Sequence, residues 1–220
     1  MERGKLEALA REQGARVFGV ADLVALRARM PDLTVRVPGN FIRGVVMGVR
    51  LQQAVLEAID QEPTPLYCHH YRQVNYQLDT LALRVADELQ ADGWSAVAVP
   101  ASQIIQREPM QGHVSHKLLA WAAGVGHIGR NNLLVHPAFG AQVRYVSVLT
   151  DCPLEPGQPR PADCGACRAC IDRCPAKAIG ETAEDFNLNA CYGKLGDFTR
   201  LSYIGQHICG VCVKACRGSA

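Results

Sequence analysis

The sequence predicts a mixed α/β (α+β) fold in two parts, with alternating helices and strands over residues 1–155 and a short cysteine-dense segment over residues 156–220. Three observations predict it. Ahead of residue 150, apolar residues recur at helical spacing in some stretches and run as short β-branched blocks in others. A stretch rich in proline and glycine, CPLEPGQPRP, follows Asp151 and ends at Pro161, and it reads as an extended connection. Beyond it, eight of the ten cysteines fall between Cys164 and Cys216.

Leu6, Leu9 and Ala10 mark one face of an opening helix that Gly14 should stop, and Val17 to Val20 is a short apolar strand. Arg43 to Leu51, RGVVMGVRL, is a second strand, and Gln52 to Asp60 continues as a helix until Pro63 and Pro65 break the pattern. The strongest helix runs from about Leu66 to Ala91, where Leu78, Leu81, Ala82, Val85, Ala86 and Leu89 share one face and Gly93 ends it. On its first turns Tyr67, His70, Tyr71 and Val74 continue the stripe, with His69 and Arg72 beside it. Such a cluster could line a cofactor pocket, but a buried helix end is the simpler account. Ala96 to Val99 is a strand ended by Pro100, Ser115 to Ala123 a helix, and Gln142 to Thr150 a strand with one or both faces covered.

The chain is 220 residues long and 48% hydrophobic, enough to bury a real core in front of the cysteine segment. Its 23 basic and 21 acidic residues are scattered and leave a net charge of +2, so the electrostatic footprint of a nucleic-acid binder is missing. Charges run throughout MERGKLEALAREQG at the start, and the longest nearly apolar stretch, Leu118 to Val125, is too short to span a bilayer. The expectation is a cytoplasmic protein without nucleic-acid or membrane partners. A reducing compartment also suits cysteines used as metal ligands, leaving Cys68 and Cys152 as packed thiols.

Cys164, Cys167, Cys170 and Cys174 are spaced C-x2-C-x2-C-x3-C and followed by Pro175, the ligand run of a bacterial two-cluster ferredoxin. Cys191, Cys209, Cys212 and Cys216 complete eight thiols for two 4Fe-4S clusters. Three cysteines at intervals of three wrap one cubane, while the fourth is carried away and serves the other. Cys164, Cys167, Cys170 and Cys216 should therefore hold one cluster, and Cys174, Cys191, Cys209 and Cys212 the second. Arg217 stands where a symmetrical pattern would have a second proline. Gly165 and Gly210 would let backbone N–H groups approach the cluster sulfides. Zinc knuckles do not usually run three such steps in series, and disulfide frameworks belong to small secreted domains.

Gly124, Gly126 and Gly129 spell G-x-G-x-x-G with Asp151 about twenty residues on, which imitates a dinucleotide-binding fingerprint. The context opposes it, because VSHKLLAWAA ahead of the glycines reads as helix and not strand. A helix stop and a close backbone approach to something flat or anionic explain the glycines better.

The stretch SHKLLAWAAGVGHIGRNNLLVHPAFGAQVRYVSVLTDCPL, Ser115 to Leu154, followed by the eight cysteines, resembles the epoxyqueuosine reductase and reductive dehalogenase superfamily. Ala123, Gly124, Gly126, Ile128, Gly129, Asn131, Leu133 and Leu134 match the family's A-G-L-G-W-I-G-K-N-x-L-L turn, while Val125, His127 and Arg130 replace its leucine, tryptophan and lysine. Gly140, Arg144, Leu149, Thr150 and Asp151 match a later G-x-x-x-R-x-x-x-x-L-T-D pattern. The resemblance covers roughly residues 66–217. It implies a nitroreductase-like domain followed by a ferredoxin-like domain whose clusters pass electrons from an external ferredoxin or flavodoxin type of donor to a bound cobalamin. FMN is the second choice of cofactor in such a fold.

By the same resemblance Gly124, Gly126, Gly129, Arg130 and Asn131 are candidate cofactor-binding residues. His116 is the candidate proton donor, with Lys117, His113 and His127 nearby; its competing role is a hydrogen-bonded core histidine. Epoxyqueuosine reductases carry a proton-donor aspartate in a V-D-S-A-P-like segment, where this chain reads VPASQIIQREP, and a tRNA-gripping extension, where this chain stops at Ala220. The expected substrate is therefore a small molecule or the corrinoid itself. The alternative is an electron-transfer, ferredoxin-like accessory protein without its own substrate.

Overall fold

The computed structural model describes residues 1–29, 40–107 and 110–218. Glu108 and Pro109, which close the segment lacking the family's aspartate, lie outside the described residues, as do Ser219 and Ala220. In chain order the first elements are α1 (Arg3–Glu12), β1 (Val17–Asp22), α2 (Leu23–Arg29), β2 (Arg43–Arg50), α3 (Gln53–Glu57), α4 (Pro65–Ala91), β3 (Ala96–Val99), β4 (Gln106–Arg107) and β5 (Met110–Gln111). There follow α5 (His116–Ala122), β6 (His127–Ile128), β7 (Leu134–Val135), β8 (Val143–Thr150), α6 (Ala169–Arg173), α7 (Leu188–Thr199) and α8 (Val211–Ala215).

These elements form two compact units, one of Met1–Val49, Asn75–Val125 and Arg144–Arg160, the other of Arg50–Val74, Gly126–Val143 and Pro161–Ala220. Two earlier stretches thus join the cysteine segment in the second unit.

The first unit is built on a four-stranded sheet of order β1-β2-β8-β3. β1 runs antiparallel to β2, with Val17 opposite Gly48 and Asp22 opposite Arg43, and β3 runs antiparallel to β8, with Ala96 opposite Thr150. Successive side chains on a strand point to opposite faces. Val45, Val46 and Met47 are all fully buried, as are Val146, Ser147 and Val148, so both faces of the two central strands are covered. α5 lies against β1, and Gly19 leaves room for the chain at its end: a Cβ on Gly19 would stand 2.9 Å from Ala123 Cβ and 2.7 Å from Val125 Cγ1. Gln77 Nε2 donates to the Gln13 carbonyl at 2.9 Å, fastening the end of α1 to α4.

The proline-rich stretch is extended, as its composition predicts, but it is not a free tether. The Gly157 N–H donates to Val20 O at 2.8 Å, so the segment runs along the open side of β1. Gly124, at φ +73°, ends the turn after α5, and a Cβ there would collide with the Gln158 backbone. Left-handed backbone and contact from a neighbouring chain segment both require glycine.

Pro65 opens α4 instead of only breaking the pattern before it; a proline suits the first helical position, where no N–H is needed. The early turns of this helix belong to the second unit, where Tyr67 and Val74 are buried. His70 and Tyr71, on the same stripe, are half-buried.

Candidate metal centres

Two five-residue helices organise the second unit. α6 carries Cys170 and α8 carries Cys212, and each is closed by a further cysteine in extended conformation, Cys174 at φ −63°, ψ 113° and Cys216 at φ −96°, ψ 97°. The extended cap turns the chain out of the helix, so the fourth thiol of each run leaves its own loop. α6 packs on α8, and α8 is tied to α3 through Lys214 Nζ, which donates to the carbonyls of Glu57 and Ile59 at 3.0 and 2.5 Å. Arg217, the residue in place of the second proline, pairs with Glu57 at 2.6 Å.

The electrostatics separate the thiols into two neighbourhoods. Burial pushes Cys170 up to about 11, with Cys216, Cys164 and Cys167 adding to the shift. Cys209 is pushed up to about 11 by burial, with Cys191 and Cys174 adding, and Cys212 is raised well above its ordinary value by burial, then by Cys209, Cys191, Cys174 and Cys170. Cys216 is raised by burial, and its thiol neighbours are Cys164 and Cys167. Cys170 is the thiol whose influence reaches across both groups. Buried thiols held this close stay protonated unless a cationic centre replaces their protons, which is the chemistry of a metal-binding donor set.

Cys174, Cys191, Cys209 and Cys212 together rim a cavity of about 110 Å³. Leu133, Pro175, Ile179, Phe186 and Leu195 supply apolar walls, and Asn131 and Lys194 the polar side chains. Among the described residues no three histidine, cysteine or acidic side chains converge as a single ion would require. The thiols surround a space. Asn131 is 97% buried, at 3% exposure, and its Nδ2 has no protein partner. A buried donor without a partner, on a residue that lines a sulfur-rimmed cavity, fits a bound anionic cluster, whose sulfurs accept hydrogen bonds. The Cys174 sulfur already accepts the Ala178 N–H at 3.3 Å.

The other thiol set is bordered by the turn that follows α5. His127 Nε2 lies 3.7 Å from Cys164 Sγ, and a Cβ on Gly129 would stand 3.4 Å from the same sulfur. Arg130 donates to the Gly165 carbonyl at 2.9 Å and to the carbonyls of Cys167 and Glu181. The five candidate cofactor residues are therefore all engaged within the chain: Gly124 against Gln158, Gly126 against Val135, Gly129 against Val135 and Cys164, Arg130 on the cysteine loop, Asn131 at the cavity. The contacts with Gln158 and with the cysteine loop join segments more than thirty residues apart, and no spacing rule announces them.

Gly165 and Gly210 are both fixed by local contacts. The Gly165 N–H donates to Asp163 Oδ1 at 2.8 Å, so it is already taken up by a turn. Gly210 sits at φ +86° where a Cβ would stand 2.6 Å from Tyr67 Cε1.

His116, in the first unit, has Nδ1 2.9 Å from Ser147 Oγ and Nε2 2.9 Å from the Pro100 carbonyl. A carbonyl only accepts, so Nε2 carries the proton and Nδ1 accepts from the serine. Desolvation lowers its pKa to about 4, against the opposing pull of the Pro100 bond. This geometry supports the structural one of its two roles. Burial likewise lowers Lys117 and His127.

No protein-family model matches the chain. It is 32% identical over 114 residues to the epoxyqueuosine reductase of Synechococcus, covering 51% of this chain and 32% of that protein. With the epoxyqueuosine reductase of Staphylococcus aureus it shares 37% identity over 68 residues, 31% of this chain and 18% of that one. With the tetrachloroethene reductive dehalogenase of Desulfitobacterium hafniense it shares 34% over 98 residues, 42% of this chain and 18% of that one.

The chain is similar to the epoxyqueuosine reductases and reductive dehalogenases.

It spans about a third or less of the length of the curated superfamily relatives just named. The superfamily fold extends over nearly all of it. A catabolic reductive dehalogenase superposes at a TM-score of 0.75 with 18% identity, over 96% of this chain and 31% of that one. A reductive dehalogenase described by B12-dependent dehalogenation gives 0.74 and 19%, over 96% and 30%. An epoxyqueuosine reductase solved with a modified tRNA-Tyr stem loop gives 0.60 and 19%, over 97% and 64%. The mixed α/β architecture with antiparallel sheets is that of the superfamily. Among the described residues no helix is long and apolar enough to cross a membrane.

Proposed function

We propose that the chain is an iron-sulfur oxidoreductase in which electrons from an external ferredoxin or flavodoxin type of donor pass through two 4Fe-4S clusters to a bound cobalamin, for reduction of a small substrate or of the corrinoid itself. In this reading Cys164, Cys167, Cys170 and Cys216 hold one cluster and Cys174, Cys191, Cys209 and Cys212 the other. Residues 156–220 are the ferredoxin-like, cluster-bearing part, and residues 1–155 the nitroreductase-like part with the candidate corrinoid site. The observation that carries it is the cavity rimmed by four thiols scattered between Cys174 and Cys212. The chain's own part is to bury those sulfurs behind apolar walls, keep water from them, and pin the Gly165–Cys167 loop with Arg130.

Cobalamin, when bound, supplies cobalt redox chemistry that no side chain can provide. Its support is the family similarity, which includes a neighbour described as B12-dependent. The five turn residues expected to meet it are engaged within the chain, so no step through it is assigned to them. The same observation, with both His116 nitrogens bonded in the fold, favours the second reading, an electron-transfer accessory protein without its own substrate.

Anaerobic reconstitution followed by iron and sulfide analysis tests the shared premise. About eight irons and eight sulfides per chain are expected for two cubanes; stoichiometric zinc with little sulfide would overturn both readings.

A further inference from the structure

We propose that Asn131 donates a hydrogen bond from Nδ2 to a sulfur of the cluster held by Cys174, Cys191, Cys209 and Cys212, and so raises that cluster's reduction potential. The inference rests on reading that cavity as a 4Fe-4S site and adds to it a residue that tunes the electron transfer.

Three features support it. First, the amide orientation is fixed: Oδ1 accepts the Leu133 N–H at 3.3 Å, so the other amide atom is the NH₂ group. Second, the side chain has little freedom, because it sits in a tight turn where the Gly129 N–H donates to Leu133 O at 2.9 Å and the Asn132 N–H to Gly129 O at 2.8 Å. Third, Nδ2 is buried without a hydrogen-bond partner among the described residues, and Asn131 lines a cavity whose other side chains are apolar or sulfur apart from Lys194, whose ammonium only donates. An unpaired buried donor costs roughly 1–3 kcal/mol. Leu133, Ile179, Phe186 and Leu195 offer no acceptor in their side chains. The sulfurs do.

A cluster sulfur becomes more negative when the cluster gains an electron, so a donor aimed at it stabilises the reduced state more than the oxidised one. The step is a one-electron reduction by the external ferredoxin or flavodoxin type of donor. Asn131 forms and breaks no covalent bond and keeps both protons.

The test uses the reconstituted full chain and its Asn131→Leu and Asn131→Asp variants. Iron and sulfide are counted first, and a wild-type chain lacking four of the expected irons with no signal from the second cluster overturns the site reading itself. With both clusters present, EPR-monitored redox titration is expected to show one couple lowered in Asn131→Leu while the other stays put. The reduced-to-oxidised ratio at fixed potential should fall about tenfold, which is 59 mV for one electron. Asn131→Asp, which replaces the donor by a negative charge, should lower it further. Equal potentials in wild type and Asn131→Leu at full iron content overturn the proposal. Deuterium ENDOR on the wild-type protein exchanged into D₂O gives a readout that needs no variant to fold. Besides the deuteron of the Ala178 N–H on the Cys174 sulfur, a further weakly coupled exchangeable deuteron on the second cluster is expected, and a spectrum with the Ala178 deuteron alone overturns the proposal.

Discussion

The Arg130 guanidinium donates to the Gly165 carbonyl at 2.9 Å while also reaching the carbonyls of Cys167 and Glu181. A planar fork with five donors can serve three carbonyls at once; a lysine ammonium is a point charge and cannot match the geometry. Arg130→Ala should lower stability by about 2 kcal/mol, the scale of hydrogen bonds from a charged donor, and cost iron at the Cys164 loop. Arg130→Lys should recover only part of both. Denaturant midpoints and iron counts on the two variants check this; equal iron content in all three proteins would contradict it.

In the proposed ligand assignment Cys216 and Cys174 exchange sides. Cys216→Ser should damage the cluster bound by the Cys164 loop, and Cys174→Ser the one bound by Cys209 and Cys212. Each variant should keep about four irons, and the surviving EPR signals should differ. If each fourth cysteine instead served its own loop, the two spectra would be swapped.

His116 makes folding pH-dependent in one direction. Its folded pKa, about 4, lies below the ordinary histidine value of 6.5, so the unfolded chain binds the extra proton first. Its contribution is full above pH 6.5 and is lost as the pH falls toward 4. By pH 5.5 the loss should be about 1 kcal/mol, allowing for the partial exposure of the ring. Urea midpoints of wild type and His116→Gln at pH 7.5 and 5.5 check it: the wild type should lose more stability than the variant over that interval. Identical losses would contradict the assignment.

Gly210→Ala should be among the most damaging single changes in the second unit. The residue is left-handed at φ +86°, and a Cβ would stand 2.6 Å from Tyr67 Cε1 and 2.7 Å from Ile59 Cδ1, both on buried side chains. Strain and collision together should cost about 2–4 kcal/mol and release iron from the neighbouring Cys209 and Cys212. Thermal unfolding of the reconstituted variant measures it.

Much of this was legible from residue spacing. The stripe from Leu78 to Leu89 announces α4 because a helix with one buried face repeats its apolar residues every three or four positions. The thiol sets are legible because a cubane dictates the intervals between its ligands. The short elements are not: β6, β7, α6 and α8 are two to five residues long, below the length at which periodicity carries a signal. The destinations of Arg130 and Asn131 were hidden for a different reason. Their partners are backbone carbonyls and a cavity assembled from distant segments, and no spacing rule encodes either.

Titration of the reconstituted chain with cobalamin, followed anaerobically by absorbance and EPR, tests the central claim most directly. The proposed function predicts stoichiometric binding with a perturbed cobalt spectrum in a protein holding about eight irons. Eight irons with an unperturbed cobalt spectrum and no binding would contradict the corrinoid reading and leave the chain as an electron carrier.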